Sequence, residues 1–469
     1  MNNNAVVVPF YSSEAITLSA EEQTEDALAA TRSMDASGRT TDGQLPKLTP
    51  IEHMRRAAIF QTNRAFDEAR AHWHALIERY PNDANVPAAY FGIGRTLFQE
   101  KRYEEALPVF EKLGATYPQA LAGRDGFYYV AATLLRLERP AEAATRYAAY
   151  VERFPDGERI ENAYLNIIDT LREANRPDEA LPWIARTRER FAGKPADANA
   201  LFARLRLDVA RGDWSSALRM SDELSRANFV RNVVNTSPTE VAYLRAYSLE
   251  ESNQRDAAIK AYQDIADSAG SYYGALATAR LQKMGGAAQS AVNAREARVR
   301  NEVRKSAGDF PAPYRDIIVR AVAGRGVDPR FMLAIMRQES GFNARAKSPV
   351  GARGLMQLNP EVATKYAPSV NVVNLREDDL YRPDVNIKLA GAYLGALAKM
   401  FPDLPEAWAA SYNGGEENVA RWVRRAGRSD PGVFTAEVGF TESKDYVNRV
   451  MANYRAYKLL YTDDLKPRR

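Results

Sequence analysis

Few residues of this 469-residue chain are equipped for chemistry. It has no cysteine, which removes thiol nucleophiles, iron–sulfur clusters, Cys-zinc sites and disulfides together. Its three histidines, His53, His72 and His74, all fall within the first 74 residues, and nothing around them resembles a triad or a zinc site. Chemistry further along must therefore use carboxylates, hydroxyls, amides or Lys and Arg. Four stretches supply such groups: GVDPRFMLAIMRQESGF (326–342), SPVGARGLMQLNP (348–360), AWAASYNGGEENVARWV (407–423) and FTESKDYVNRVMANYRAY (440–457).

In the first stretch, Asp328 is a good N-cap, Pro329 suits the first helical position and Gly341 is a natural stop. Three- and four-residue spacing puts Met332, Ile335, Met336 and Glu339 on one face. An acid at the end of an apolar stripe is partly desolvated and holds its proton nearer neutral pH, as a general acid requires. A helix-end glutamate taken alone is more often simply solvated.

In the second stretch, Gln357 interrupts an apolar triplet behind two glycines. A buried amide must bond something, either a ligand such as a sugar hydroxyl or acetamido group, or the backbone of its own loop. The third stretch puts a phenol and an amide, Tyr412 and Asn413, where one helix ends and another begins. In the fourth, Glu442 and Tyr446 share a helix face, as a plain surface helix would also have it.

The elements that carry these residues read as all-α. Residues 1–50 are polar with weak periodicity and are expected to be loosely ordered. From about residue 51 the chain repeats every 37 residues: Ala69, Ala106, Ala143, Ala180 and Ala217 hold that step, as do the aromatics Tyr80, Tyr117, Phe154 and Phe191. Each unit reads as two amphipathic helices, the small alanine allowing close approach and the aromatics filling gaps between units. This array over 51–236 resembles tetratricopeptide-type repeats. Residues 237–310 are expected to form a helical linker region, and 311–469 a separate helical domain.

The four stretches together resemble the catalytic domain of the soluble lytic transglycosylases, the goose-lysozyme-like family that acts on peptidoglycan. The resemblance rests on Glu339-Ser340, Gly354-Leu355-Met356-Gln357, Asn386-Ile387 with Tyr393-Leu394, Tyr412-Asn413, and Glu442 with Tyr446-Val447, in the family's order. The repeats and the YYGALA segment are similar to the helical superhelix and linker of its large soluble members. The pattern departs at Arg353, Ala390, Ser411, Gly414 and Ser443-Lys444, which bears on substrate preference rather than on the acid.

The resemblance implies a tetratricopeptide-like superhelix followed by a lysozyme-like, mainly α-helical catalytic domain. It implies that Glu339 protonates the bond between N-acetylmuramic acid and N-acetylglucosamine and then takes the proton of the muramoyl C6 hydroxyl, leaving a 1,6-anhydro end without water. Ser340, Gln357, Tyr412 and Asn413 would bind sugar groups, Met356 would form apolar wall, and Glu442 and Tyr446 would shape the cleft. Neither metal nor cofactor is needed. A hydrolytic muramidase using Asp378, Asp379 or Glu416 as a second carboxylate stays open, as does a non-catalytic glycan-binding scaffold.

Charge and targeting fit an anionic polymer. From residue 301 on there are 26 Lys and Arg against 20 Asp and Glu, without the dense basic stripe of a nucleic-acid binder. No run approaches the ~20 apolar residues of a membrane span. The start, MNNNAVVVPFYSS, has no basic n-region, so a periplasmic place expects a signal that was removed or replaced. Other cell-wall proteins are candidate partners of the repeats.

Overall fold

The computed structural model describes residues 24–227, 233–349 and 351–468. In chain order its helices are α1 (Glu25–Gly38), α2 (Pro50–Thr62), α3 (Phe66–Arg79), α4 (Val86–Gln99), α5 (Tyr103–Thr116), α6 (Leu121–Arg136), α7 (Pro140–Arg153), α8 (Ile160–Glu173), α9 (Pro177–Arg190), α10 (Pro195–Arg211), α11 (Trp214–Leu224) and α12 (Pro238–Glu251). They continue as α13 (Arg255–Asp264), α14 (Tyr272–Met284), α15 (Gln289–Lys305), α16 (Arg315–Val322), α17 (Pro329–Ser340), α18 (Pro360–Tyr366), α19 (Pro383–Met400), α20 (Pro405–Gly414), α21 (Glu416–Ala426), α22 (Pro431–Glu437) and α23 (Thr441–Leu460). The fold is all-α: among the described residues extended backbone pairs only as isolated bridges. The chain divides into two compact units, residues 1–183 and 184–469.

In the first unit, the repeat alanines Ala69, Ala106, Ala143 and Ala180 are fully buried. Each lies in the first turn of the second helix of a pair, where a larger side chain would force the helices apart. Between paired helices the chain turns through a left-handed residue, at Arg64, Lys101, Glu138 and Asn175, again 37 residues apart. The next amide closes each turn on a carbonyl five residues back, as in Ala65 to Phe60 and Arg102 to Leu97. Phe154, the C-cap of α7, packs edge-on to Phe127 of α6 within the same helix pair, with ring centroids 5.7 Å apart.

Part of the segment read as loosely ordered is helical. Thr24 caps α1 by accepting from the Ala27 amide, and Thr49 and Glu52 form a capping box at α2. Residues 1–23 lie outside the described residues. His53 and His72 are buried and face one another, Nδ1 to Nδ1 at 3.0 Å, with Asp35 of α1 on His72 Nε2 at 2.9 Å. These histidines are tied into packing.

In the second unit one hydrophobic core runs from Ala198 to Leu465. The region 237–310, expected to be a linker, is part of that body. Its Tyr272 and Tyr273 are buried and bond Thr435 and Glu240, at 2.9 and 2.8 Å. The charged helix α15 hides Val292, Val299 and Val303 and sends Arg295 inward to the Ile265 and Gly274 carbonyls. Centrally, α17 packs along α23. Its run Phe331 to Met336 is fully buried, as expected of a segment apolar on every side.

Candidate active site

Helix α17 aims Glu339. Asp328 caps it by accepting from the Arg330 amide at 2.9 Å, Pro329 occupies its first turn, and Gly341 ends it in the left-handed region at φ 55°. Glu339 thus emerges in the last turn, past the buried apolar run Phe331–Met336, into a half-buried position. Burial pushes its carboxyl up to about 7, against the opposing pull of a hydrogen bond from Tyr446. That bond, from Tyr446 Oη to Glu339 Oε1, is 2.5 Å long. Tyr446 and Tyr412 are pushed well above the ordinary phenol range, by burial first and by the Glu339 charge second. Both phenols therefore stay neutral donors.

The loop after α17 forms the facing wall. Gly354 holds φ 79°, and a Cβ there would lie 2.1 Å from the Leu380 carbonyl oxygen, so only glycine fits. Asn386, fully buried on α19, pins this loop three ways: it accepts from the Met356 amide at 2.8 Å and donates to the Arg353 and Leu380 carbonyls at 3.0 and 2.9 Å. Ser340 Oγ donates to the Leu355 carbonyl at 2.7 Å, and Tyr412 Oη to the Met356 carbonyl at 2.8 Å. Gln357, at φ 44°, spends its amide nitrogen on the Ala346 and Gly354 carbonyls, both at 2.9 Å.

Of the residues singled out from sequence, Tyr446 bonds the acid itself, while Ser340, Met356, Gln357 and Tyr412 are tied together in the adjoining loop wall. The amide nitrogen of Gln357 serves its own loop, the second of the two uses open to it. Asn413 is exposed and accepts from Ser443 Oγ at 2.6 Å. A Cβ on Gly414 would stand 2.9 Å from that same Ser443 oxygen, so two departures from the family pattern meet in space. Glu442 is exposed in the first turn of α23, without a bond to Glu339.

Sequence reasoning passed over the pinning role of Asn386 and the part of Ser443. A lone amide inside the apolar run of α19 was the available signal for the first. Tyr366, Tyr393 and Tyr412 form a ring series with centroids 5.3 and 5.4 Å apart. Glu416 is held at its edge by Tyr393 Oη at 3.3 Å and Lys365 Nζ at 3.2 Å. Asp379 accepts from the Arg376 amide, and Asp378 is exposed. Another buried acid, Glu406, is also raised to about 7 by burial, but it is only 4% exposed. A raised pKa alone therefore does not pick out the site; access does. Among the described residues no group of three or more His, Asp or Glu side chains is placed to hold a metal ion.

Two parts of the chain are similar to known proteins. Residues 316–434 match the Transglycosylase SLT domain, and residues 55–120 and 131–195 match the tetratricopeptide repeat. The soluble lytic murein transglycosylase of Salmonella typhimurium is 36% identical over 150 residues, which are 32% of this chain and 23% of that protein. The protein of the same name from Escherichia coli K12 is 34% identical over 157 residues, 33% of this chain and 24% of its own length. The matched stretch thus spans about a quarter of these relatives. Among solved structures, an inactive mutant of the lytic transglycosylase Slt from Pseudomonas aeruginosa shares the fold at a TM-score of 0.50 and 22% identity, covering 92% of this chain and 75% of that one. Residues 316–434 therefore match the transglycosylase SLT domain and follow tetratricopeptide repeats in the sequence, and about a third of the chain is similar to part of the soluble lytic murein transglycosylases.

Proposed function

We propose that this chain is a peptidoglycan lytic transglycosylase with Glu339 as its single acid and base. The observation that carries the reading is the half-buried Glu339 carboxyl, raised to about 7 and bonded by a neutral phenol. With Oε1 held by Tyr446, Oε2 delivers its proton to the glycosidic oxygen between N-acetylmuramic acid and N-acetylglucosamine. The bond from C1 to that oxygen breaks and the glucosamine leaves as an alcohol. The muramoyl acetamido oxygen shares the charge developing at C1. The Glu339 carboxylate then accepts the proton of the C6 hydroxyl as O6 bonds C1, which closes the 1,6-anhydro ring and returns the acid to its starting state. Most glycosidases divide these tasks between two carboxylates; here the substrate supplies the second nucleophile.

The surrounding groups support this use. Tyr412 and Tyr446 are uncharged donors, Asn413 is an exposed amide, and Met356 is a buried apolar side chain in the wall. Ser340 and Gln357 hold the loop, and through it the wall. Of the candidate water-activating carboxylates, Glu416 is engaged by Tyr393 and Lys365, and Asp379 by the Arg376 amide. No helix among the described residues is long and apolar enough to cross a membrane. A peptidoglycan substrate puts the protein in the periplasm, where the repeats could meet other cell-wall proteins.

The direct test is digestion of isolated sacculi by the wild-type chain and by Glu339→Gln. A general acid is worth about 10²–10⁴ in rate, so the variant should lose at least about a hundredfold while still sedimenting with sacculi. Near-normal release by Glu339→Gln refutes the single-acid mechanism.

A further inference from the structure

Among the described residues Phe440 is the one exposed aromatic side chain, 45% accessible. Every other described Phe, Tyr or Trp ring is buried or half-buried. Phe440 is not loose. The buried Trp422 packs against it edge-on, with centroids 5.3 Å apart and planes at 83°. Gly439 keeps the approach open, since a Cβ there would lie 3.1 Å from Trp422 Nε1.

Its position ties it to the candidate cleft. Phe440 is the N-cap residue of α23, six residues before Tyr446, about 9 Å along the axis at the helical rise. That distance is on the scale of a disaccharide. Between them, Ser443 holds Asn413 at 2.6 Å. Trp422 lies 3.4 Å from where a Cβ on Gly414 would stand. Trp422 thus backs both the Asn413-Gly414 turn and the Phe440 ring. Two exposed polar side chains lie close to it along the chain or through Ser443: the Glu442 carboxylate two residues on, and the Asn413 amide that Ser443 holds.

We propose that Phe440, with Asn413 and Glu442, is an outer sugar subsite that stacks a pyranose ring of the glycan strand beyond the one being cleaved. An exposed ring held in place by Trp422 is a poor core residue and a good platform, because the axial C–H face of a β-linked hexosamine is apolar while its edge carries hydroxyls. Asn413 donates to and Glu442 accepts from those edge groups. The subsite rests on the proposed action on glycan, and it gives Glu442 a use that its lack of contact with Glu339 otherwise leaves open.

The test uses the full chain carrying Glu339→Gln, so that bound oligosaccharide is not cut. Chitotriose and chitohexaose are titrated while the Trp422 indole N–H is followed by NMR, assigned with Trp422→Phe. Chitohexaose should move that signal and bind about tenfold more tightly than chitotriose. Phe440→Leu, which keeps apolar bulk but loses the ring face, should bring the two affinities together, and Phe440→Trp should restore the difference. Undiminished chitohexaose binding by Phe440→Leu, or an unmoved Trp422 signal at saturation, overturns the subsite. Wild-type digestion of sacculi is run beside it. Anhydro products without a Phe440 effect sink the subsite alone, whereas a Phe440-dependent Trp422 shift without any release sinks the lyase reading and keeps the subsite.

Discussion

The acid and its phenol partner set the pH behaviour at the scale of single residues. Glu339 must be protonated to act, and its carboxyl is raised to about 7 by burial. Cleavage should therefore fall as pH rises through about 7. The hydrogen bond from Tyr446 opposes the burial effect by favouring the charged carboxylate. Removing it with Tyr446→Phe should move the alkaline limb of the rate profile to higher pH while lowering the rate, since the carboxylate formed during the reaction loses its donor. A limb that stays in place or moves down would show that Tyr446 does not bond the working acid. The acid itself was legible, as the last residue of an apolar stripe. Its bond to Tyr446 was not, because a separation of 107 positions leaves no local pattern that reports the contact.

At the scale of elements, one amide holds the wall opposite the acid. Asn386→Ala would take from the Met356 amide and the Leu380 carbonyl their partner in a fully buried place, and leave the Arg353 carbonyl with the Leu358 amide alone. The expected cost is about 2–4 kcal/mol, read as a lower melting temperature or denaturant midpoint, with cleavage reduced further by the loosened loop. Unchanged stability would contradict the pinning role. The repeats show what patterning reveals and conceals. The alanines and aromatics at a 37-residue step mark packing positions, because size decides what fits there. The left-handed turn residues keep the same step but are Arg, Lys, Glu and Asn, so nothing in their chemistry announces the backbone angle. Residues 237–310 read as a linker for a related reason. The surface of α15 is charged, and its three buried valines are too sparse to signal a core helix.

At the scale of the whole molecule, buried charges bind the 184–469 unit together. Lys444, two residues before Tyr446, is buried and reaches Glu240 of α12 at 3.0 Å and the Asn235 carbonyl at 2.7 Å. Glu437 of α22 likewise meets Arg206 of α10 at 3.0 Å and Arg425 of α21 at 3.4 Å. These pairs set the start of α23, and with it Tyr446, against helices that precede the SLT domain in sequence. Lys444→Met should cost about 3–5 kcal/mol by stranding the Glu240 charge. Adding Glu240→Gln should recover part of that loss. A double variant no better than the single one would mean that the pair does not act as a unit. The basic and acidic residues of this network were visible in the sequence only as departures or surface charge, because partners 204 residues apart leave no spacing to read.

The most direct measurement of the central claim is digestion of sacculi in ¹⁸O-labelled water, followed by mass spectrometry of the released muropeptides. The account predicts muropeptides that end in 1,6-anhydro-muramic acid, lighter by one water than the reducing product and free of the label. Reducing ends carrying ¹⁸O would contradict it, because water and not the C6 hydroxyl would then have attacked C1.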